Sequence, residues 1–145
     1  MIKEIWNLSD DDFGELNQLI WKMNFEPVGR VKYGFGKLIL TTMLMEFTNF
    51  GLTHDYSNSR IHPIFNYSNK SVIYNYKEYA ELCGWKTVKT FKKYLFSLVD
   101  AGFLQIWTFG NNRQIFEVKI NLDRIIKAPK IKENLNETRK PRKND

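Results

Sequence analysis

The chain has 145 residues, 43% of them hydrophobic and 15% aromatic, which fits one domain with a real core. Its formal net charge is +6, and it contains one cysteine, Cys83. A lone cysteine excludes an internal disulfide and any zinc site built on cysteines, and a reducing cytoplasm is the expected setting. No stretch approaches the 18 or so apolar residues of a membrane span, so no membrane partner is expected.

Charge is unevenly spread. The first 25 residues are net acidic through Glu4, Asp10, Asp11, Asp12 and Glu15. The middle of the chain and residues 127–145 are net basic. A basic body with a basic end is the footprint of a polyanion binder, against the plainer reading of a solvated basic surface.

A first helix is predicted over residues 9–24. Ser9 is a good N-cap and Asp10, Asp11 and Asp12 suit the positive end of the helix dipole. Phe13, Leu16, Ile20 and Met23 form one apolar face, and Trp6 and Leu8 are placed to staple back onto it. Pro27 and Gly29 mark a break. Residues 33–50 then read as a second, apolar helix with Phe35, Leu38, Ile39, Thr42, Met43, Glu46 and Phe47 on its face, Leu40 and Leu44 widening the stripe so that burial on more than one side is expected, and Gly51 just past its end.

Residues 52–71 are rich in Asn and Ser and read as a long loop, which Ile61, Ile64 and Phe65 are able to fold upon itself. His54, Asp55 and His62 match no compact metal-ligand spacing. Residues 71–74 are a β-rich run. Asn75 caps a helix over 76–83, and Gly84 ends it. Thr87 caps a further helix over 88–101, with Phe91, Tyr94, Leu95, Leu98 and Val99 inward and Gly102 closing it. A hairpin follows: strand 103–108, turn Gly110-Asn111-Asn112, strand 114–120. Residues 127–145 carry two prolines and excess charge and are expected to be disordered when free. The expected organisation is an acidic helical segment over 1–27, a domain over 28–126 and a basic tail over 127–145.

The candidate chemistry lies on the helix over 88–101. With Phe91, Leu95 and Leu98 turned inward, Lys89, Thr90, Lys92 and Lys93 fall on the outside of its first turns, and Lys86 and Thr87 precede it. Lysines around a helix N-terminus suit phosphate oxygens. Asn111, Asn112 and Arg113 sit at the hairpin tip, where an arginine suits a narrow minor groove. The plainer reading is that Gly-Asn-Asn only makes the turn. Trp85, Trp107 and Phe109 read as packing rather than base-stacking residues. A basic run, Arg139-Lys140-Pro141-Arg142-Lys143, reads as an arm adding sequence-independent affinity, or as a solubilising end. No phosphate loop and no paired His–carboxylate motif is present, and Cys83 reads as a small core residue, so neither catalysis nor a cofactor is expected.

Residues 75–84, Asn-Tyr-Lys-Glu-Tyr-Ala-Glu-Leu-Cys-Gly, resemble the entry helix of winged helix-turn-helix proteins. Residues 90–104, with their ending Leu98-x-x-Ala101-Gly102-Phe103-Leu104, resemble the recognition helix and its exit. With residues 35–50 as the module's first helix, the resemblance covers about residues 33–122. It implies an α+β, mainly helical fold: a three-helix core with a β-hairpin wing, here with an extra N-terminal helix. It also implies a non-enzymatic double-stranded DNA-binding protein. The helix over 88–101 would enter the major groove and the wing near 110–113 would follow the backbone or minor groove. The turn over 84–87 is one residue longer than the commonest form. The long preceding loop is more like the N-terminal modules of plasmid and phage replication initiators and replisome organisers of Gram-positive bacteria, with replication or transfer proteins as further partners. A homodimer is expected, joined through the first or the second helix. The alternative reading is a winged-helix protein-interaction module in which the lysines are a solvated face and Val88 and Phe96 are contacts.

Overall fold

The computed structural model describes residues 2–24 and 33–131. They form an α+β fold with six helices and one four-stranded antiparallel sheet. No helix among them is long and apolar enough to cross a membrane.

Helix α1 (Asp10–Lys22) begins where its chemistry dictates: the Ser9 hydroxyl accepts the Asp12 N–H at 3.1 Å. Leu16, Ile20 and Met23 are buried and Phe13 is partly so. Helix α2 (Tyr33–Glu46) lies against α1, and the Lys37 ammonium, itself buried, donates to the Trp21 carbonyl at 2.9 Å in the last turn of α1. The buried stripe of α2 is Ile39, Leu40, Met43, Leu44 and Phe47; Phe35 and Leu38, expected on it, are about 40% exposed. The helix is buried on more than one side, as expected, with α1 on one side and α3 and α5 on another.

The second helix stops earlier than its apolar pattern suggests. After Glu46 the chain turns through Phe47 and Thr48 and starts a short helix α3 (Asn49–Thr53). The Thr48 hydroxyl donates to the Met45 carbonyl at 2.6 Å and accepts the Gly51 N–H at 3.0 Å, so one side chain ends one helix and caps the next. Leu8 inserts beside this corner: its N–H donates to the Phe47 carbonyl and its carbonyl accepts the Asn49 N–H. Trp6 accordingly packs edge-on against Phe47 and Tyr67, away from the staple position expected of it on α1. Gly51 is not a helix terminator. It lies inside α3 against the α2 backbone, where a Cβ would stand 2.3 Å from the Met45 carbonyl oxygen.

Residues 52–71 are more ordered than a loop. Strand β1 (Ile64–Asn66) pairs with β2 (Ser71–Asn75), giving a hairpin that the composition concealed. Its polar residues have a structural purpose. Glu117 on the central strand accepts hydrogen bonds from Asn66 (3.0 Å), Asn69 (3.1 Å) and Ser71. Burial opposes the charge of that carboxylate, but the three donors outweigh it and hold its pKa below the usual range.

Asn75 caps α4 (Tyr76–Leu82) by accepting the Glu78 N–H, and Thr87 caps α5 (Val88–Asp100) by accepting the Thr90 N–H. Both helices end in the same way. Gly84 (φ +83°) and Gly102 (φ +87°) take the left-handed conformation, while Trp85 N–H reaches the Ala80 carbonyl and Phe103 N–H the Leu98 carbonyl. This is the Schellman arrangement, which satisfies carbonyls the helix would otherwise leave open. Strands β3 (Leu104–Phe109) and β4 (Asn112–Ile120) form a hairpin, and β4 also pairs with β2, so the sheet order is β1-β2-β4-β3. The turn is shorter than expected: Asn112 already pairs with Phe109 across an irregularity at Thr108/Phe109, leaving Gly110 and Asn111 as the turn.

Beyond β4 comes helix α6 (Leu122–Lys127), capped by Asn121. Arg124 of α6 donates to the Ala101 carbonyl at 2.9 Å and lies over the Phe103 ring. The disorder expected from residue 127 onward is corrected for residues 127–131. Ala128 is buried, Asn24 N–H donates to the Pro129 carbonyl, and Ile131 N–H donates to the Lys22 carbonyl. Backbone pairing with the end of α1 outweighs the charge of this segment. The expected break at Pro27 and Gly29 and the basic run 139–143 lie outside the described residues.

Candidate nucleic-acid interface

Helix α5 carries a sharply divided surface. Phe91, Tyr94, Leu95 and Leu98 are buried, which aims Lys89 and Lys93 outward, with Lys86 exposed just before the cap. The pose of α5 is set from behind. Trp85, in the turn between α4 and α5, stacks on Tyr94 with ring centroids 4.8 Å apart and meets Phe35 of α2 edge-on at 5.3 Å. It fills the gap between the helices, the packing role expected of it. The α4 side is fixed by Tyr79, buried against Phe91.

The lysines do not all face the same way. Lys92 is half-buried, its ammonium 4.2 Å from the centre of the Tyr76 ring, and Tyr76 in turn stacks on Phe116 of β4 at 4.4 Å. This cation–π contact points Lys92 into the valley between α5 and the β3–β4 hairpin. Arg113 reaches the same valley from the other wall. One cleft of about 320 Å³ is lined by Asn75, Tyr76, Lys77, Val88, Lys92, Arg113 and Gln114. An adjoining one of about 350 Å³ brings Lys92 and Arg113 together with Phe96, Phe109 and Gly110. The structure thus gathers Lys92 and Arg113 in one valley, and leaves Lys86, Lys89 and Lys93 exposed.

The other expected site residues serve local structure. The Thr87 hydroxyl caps α5 and donates to the Thr90 hydroxyl at 2.9 Å. Asn112 accepts the Gln114 N–H at 2.9 Å, a turn-forming contact. Asn111 is exposed at the tip of the hairpin. Lys77 was missed by sequence reasoning although its signal was present: it lies two residues after the cap Asn75, and the first turn of α4 opens onto the valley. Its neighbour Glu78 is turned to His62, accepting the backbone N–H at 3.2 Å and facing the ring nitrogen at 3.3 Å. Among the described residues, none of Lys77, Lys86, Lys89, Lys92, Lys93 and Arg113 forms an ion pair with a carboxylate. Six cations on α4, on α5, in the turn between them and on the hairpin, none paired with a carboxylate, make a surface suited to phosphates.

The histidines do not converge. His54 stands between Phe50 and Tyr56, His62 stands at Glu78, and no group of three His, Cys, Asp or Glu among the described residues is placed to hold a metal. The apolar face of α1, one of the expected dimer surfaces, is spent against α2 and α6 of its own chain. Comparison of the chain with protein-family models, with curated proteins and with solved structures finds no match.

Proposed function

We propose that the protein binds double-stranded DNA as a winged helix, with α5 as the recognition helix and the β3–β4 hairpin as the wing. The observation that carries the proposal is the set of unpaired cations on the outer face of α5 and along the valley between α5 and the hairpin. Supporting it is the element order α2, β2, α4, α5, β3, β4, with β2 hydrogen-bonded to β4, which is the order that a winged helix requires. On this reading Lys86, Lys89 and Lys93 flank the N-terminal part of α5 in the major groove. Lys77, Lys92 and Arg113 hold the backbone that passes between helix and wing. The same reading takes the activity to be replication initiation or transcription control of a plasmid- or phage-type element, on the loose resemblance of the sequence to replication initiators and replisome organisers. Reading paired half-sites as a homodimer belongs to the same proposal.

One observation favours the rival reading, a protein-interaction module. Phe96 is 38% exposed on the same helix face as the lysines, and a buried aromatic anchor is what such an interface needs. The K89A/K92A/K93A variant separates the two. On the DNA reading, its affinity for mixed-sequence duplex, read by fluorescence anisotropy, falls about 100-fold at moderate salt, and the log–log salt slope becomes shallower by about 2 to 3. Unchanged duplex binding in the triple variant, or binding lost in F96A alone, overturns the assignment of the lysines.

A further inference from the structure

A buried acidic residue closes α2, outside the basic valley. Glu46, 7% exposed, accepts the hydroxyls of Tyr74 (3.1 Å) and Tyr79 (3.4 Å), both on the same carboxylate oxygen, Oε1. Among the described residues no Lys, Arg or His comes within ion-pair distance of it. A buried carboxylate without a counter-cation is costly, and burial raises its pKa to about 7 even though both tyrosine hydrogen bonds pull the other way. Its charge is felt around it: burial and then Glu46 push the Tyr56 hydroxyl and the Cys83 thiol up to about 12.

Glu46 forms one wall of a cleft of about 200 Å³, whose other walls include Phe50, His54, Tyr56, Ile61 and Leu82. Three of these are rings in sequence: Phe50 to His54 at 5.0 Å and His54 to Tyr56 at 4.7 Å. The Tyr56 hydroxyl donates to the Gly51 carbonyl at 2.9 Å, which fixes that ring. Aromatic rings around a carboxylate are the chemistry that binds alkylated ammonium groups: the rings offer negative faces and exclude water, and the carboxylate supplies the charge. We infer that this cleft is a binding site for a small organic cation, an alkylammonium or quaternary ammonium group. The site is independent of the DNA-binding reading. Arg60 also lines the cleft, and its charge works against that of Glu46 on a bound cation.

The cation requires ionised Glu46, so binding is expected at pH 8 and weaker at pH 6. Tyr74 on β2, Tyr79 and Cys83 on α4, and Tyr56, His54 and Arg60 on the segment after α3 are the groups facing Glu46. The test is an amide NMR titration of the full chain with tetramethylammonium chloride at pH 8, against sodium chloride at equal ionic strength. Saturable shifts at Gly51, Tyr56 and Ile61 are expected with tetramethylammonium alone. E46Q keeps a hydrogen-bond acceptor for both tyrosines and is expected to weaken binding at least tenfold. F50A, at a side chain 59% exposed, removes one wall without touching the core and is expected to weaken it several-fold. Equal shifts with sodium, no saturation, or full binding in both E46Q and F50A overturns the assignment.

Discussion

Replacing Gly51 by alanine is expected to destabilise the protein by about 3 kcal/mol, or about 10 °C in Tm for a chain of this size. Gly51 sits where α3 crosses the end of α2. An added Cβ would meet the Met45 carbonyl oxygen at 2.3 Å and the Glu46 Cα at 2.6 Å. Every clashing atom is backbone, so no side chain can swing aside. Relief requires α3 to lift from α2, which breaks the Thr48 cap and the bonds of Leu8 at the same corner. Gly14, in the middle of α1, has open space at its Cβ position and provides the control. G14A is expected to be neutral or slightly stabilising, since alanine is the better helix former. Thermal melts of the two variants side by side check the prediction, and equal stability would contradict the close approach of α3 to α2.

The second large effect is a pH dependence of stability centred on Glu46. In the folded protein its carboxyl titrates near pH 7, against an ordinary value of 4.5 in the unfolded chain. Below about pH 4.5 it is protonated in both states. Between 4.5 and 7 the unfolded chain releases the proton that the folded protein keeps, so stability falls as pH rises through this window. The full loss is about 3 kcal/mol once the pH passes the folded value. Glu117 works in the opposite sense, because its folded pKa is depressed: its contribution is present above the unfolded value and is lost on acidification. The Glu46 effect is therefore read as the difference between wild type and E46Q in urea-unfolding free energy between pH 4.5 and 8. Wild type should lose about 3 kcal/mol more than E46Q over that interval. Parallel curves would show that Glu46 is not held neutral by burial.

What could be read from the sequence was local. The caps at Ser9, Asn75 and Thr87 each involve a hydroxyl or amide and an N–H three residues on, and the glycines at 84 and 102 end helices within one turn. Such signals need no knowledge of the rest of the chain. The outward lysines of α5 followed from the spacing of Phe91, Leu95 and Leu98. What was missed depends on distant residues. Strand β1 is three residues long, and its turn is secured to Glu117, 48 residues beyond Asn69. The corner between α2 and α3 depends on Leu8, far back in the chain. Glu46 looked like part of a helical face because Tyr74 and Tyr79, which bury it, lie 28 and 33 residues away. Lys92 was grouped with the outward lysines because the ring it covers, Tyr76, belongs to another helix. Helix α6 had a local signal at Asn121 and an Asp123–Lys127 pair, but the excess charge of the following residues masked it.

The most direct test of the DNA-binding reading is the affinity of the wild-type protein for mixed-sequence and AT-rich duplexes across a salt series. With six cations available to phosphates, a linear log–log dependence with a slope of about −5 is expected. No binding at about 50 mM salt, or affinity that does not change with salt, would contradict the reading and leave the basic face of α5 a solvated surface.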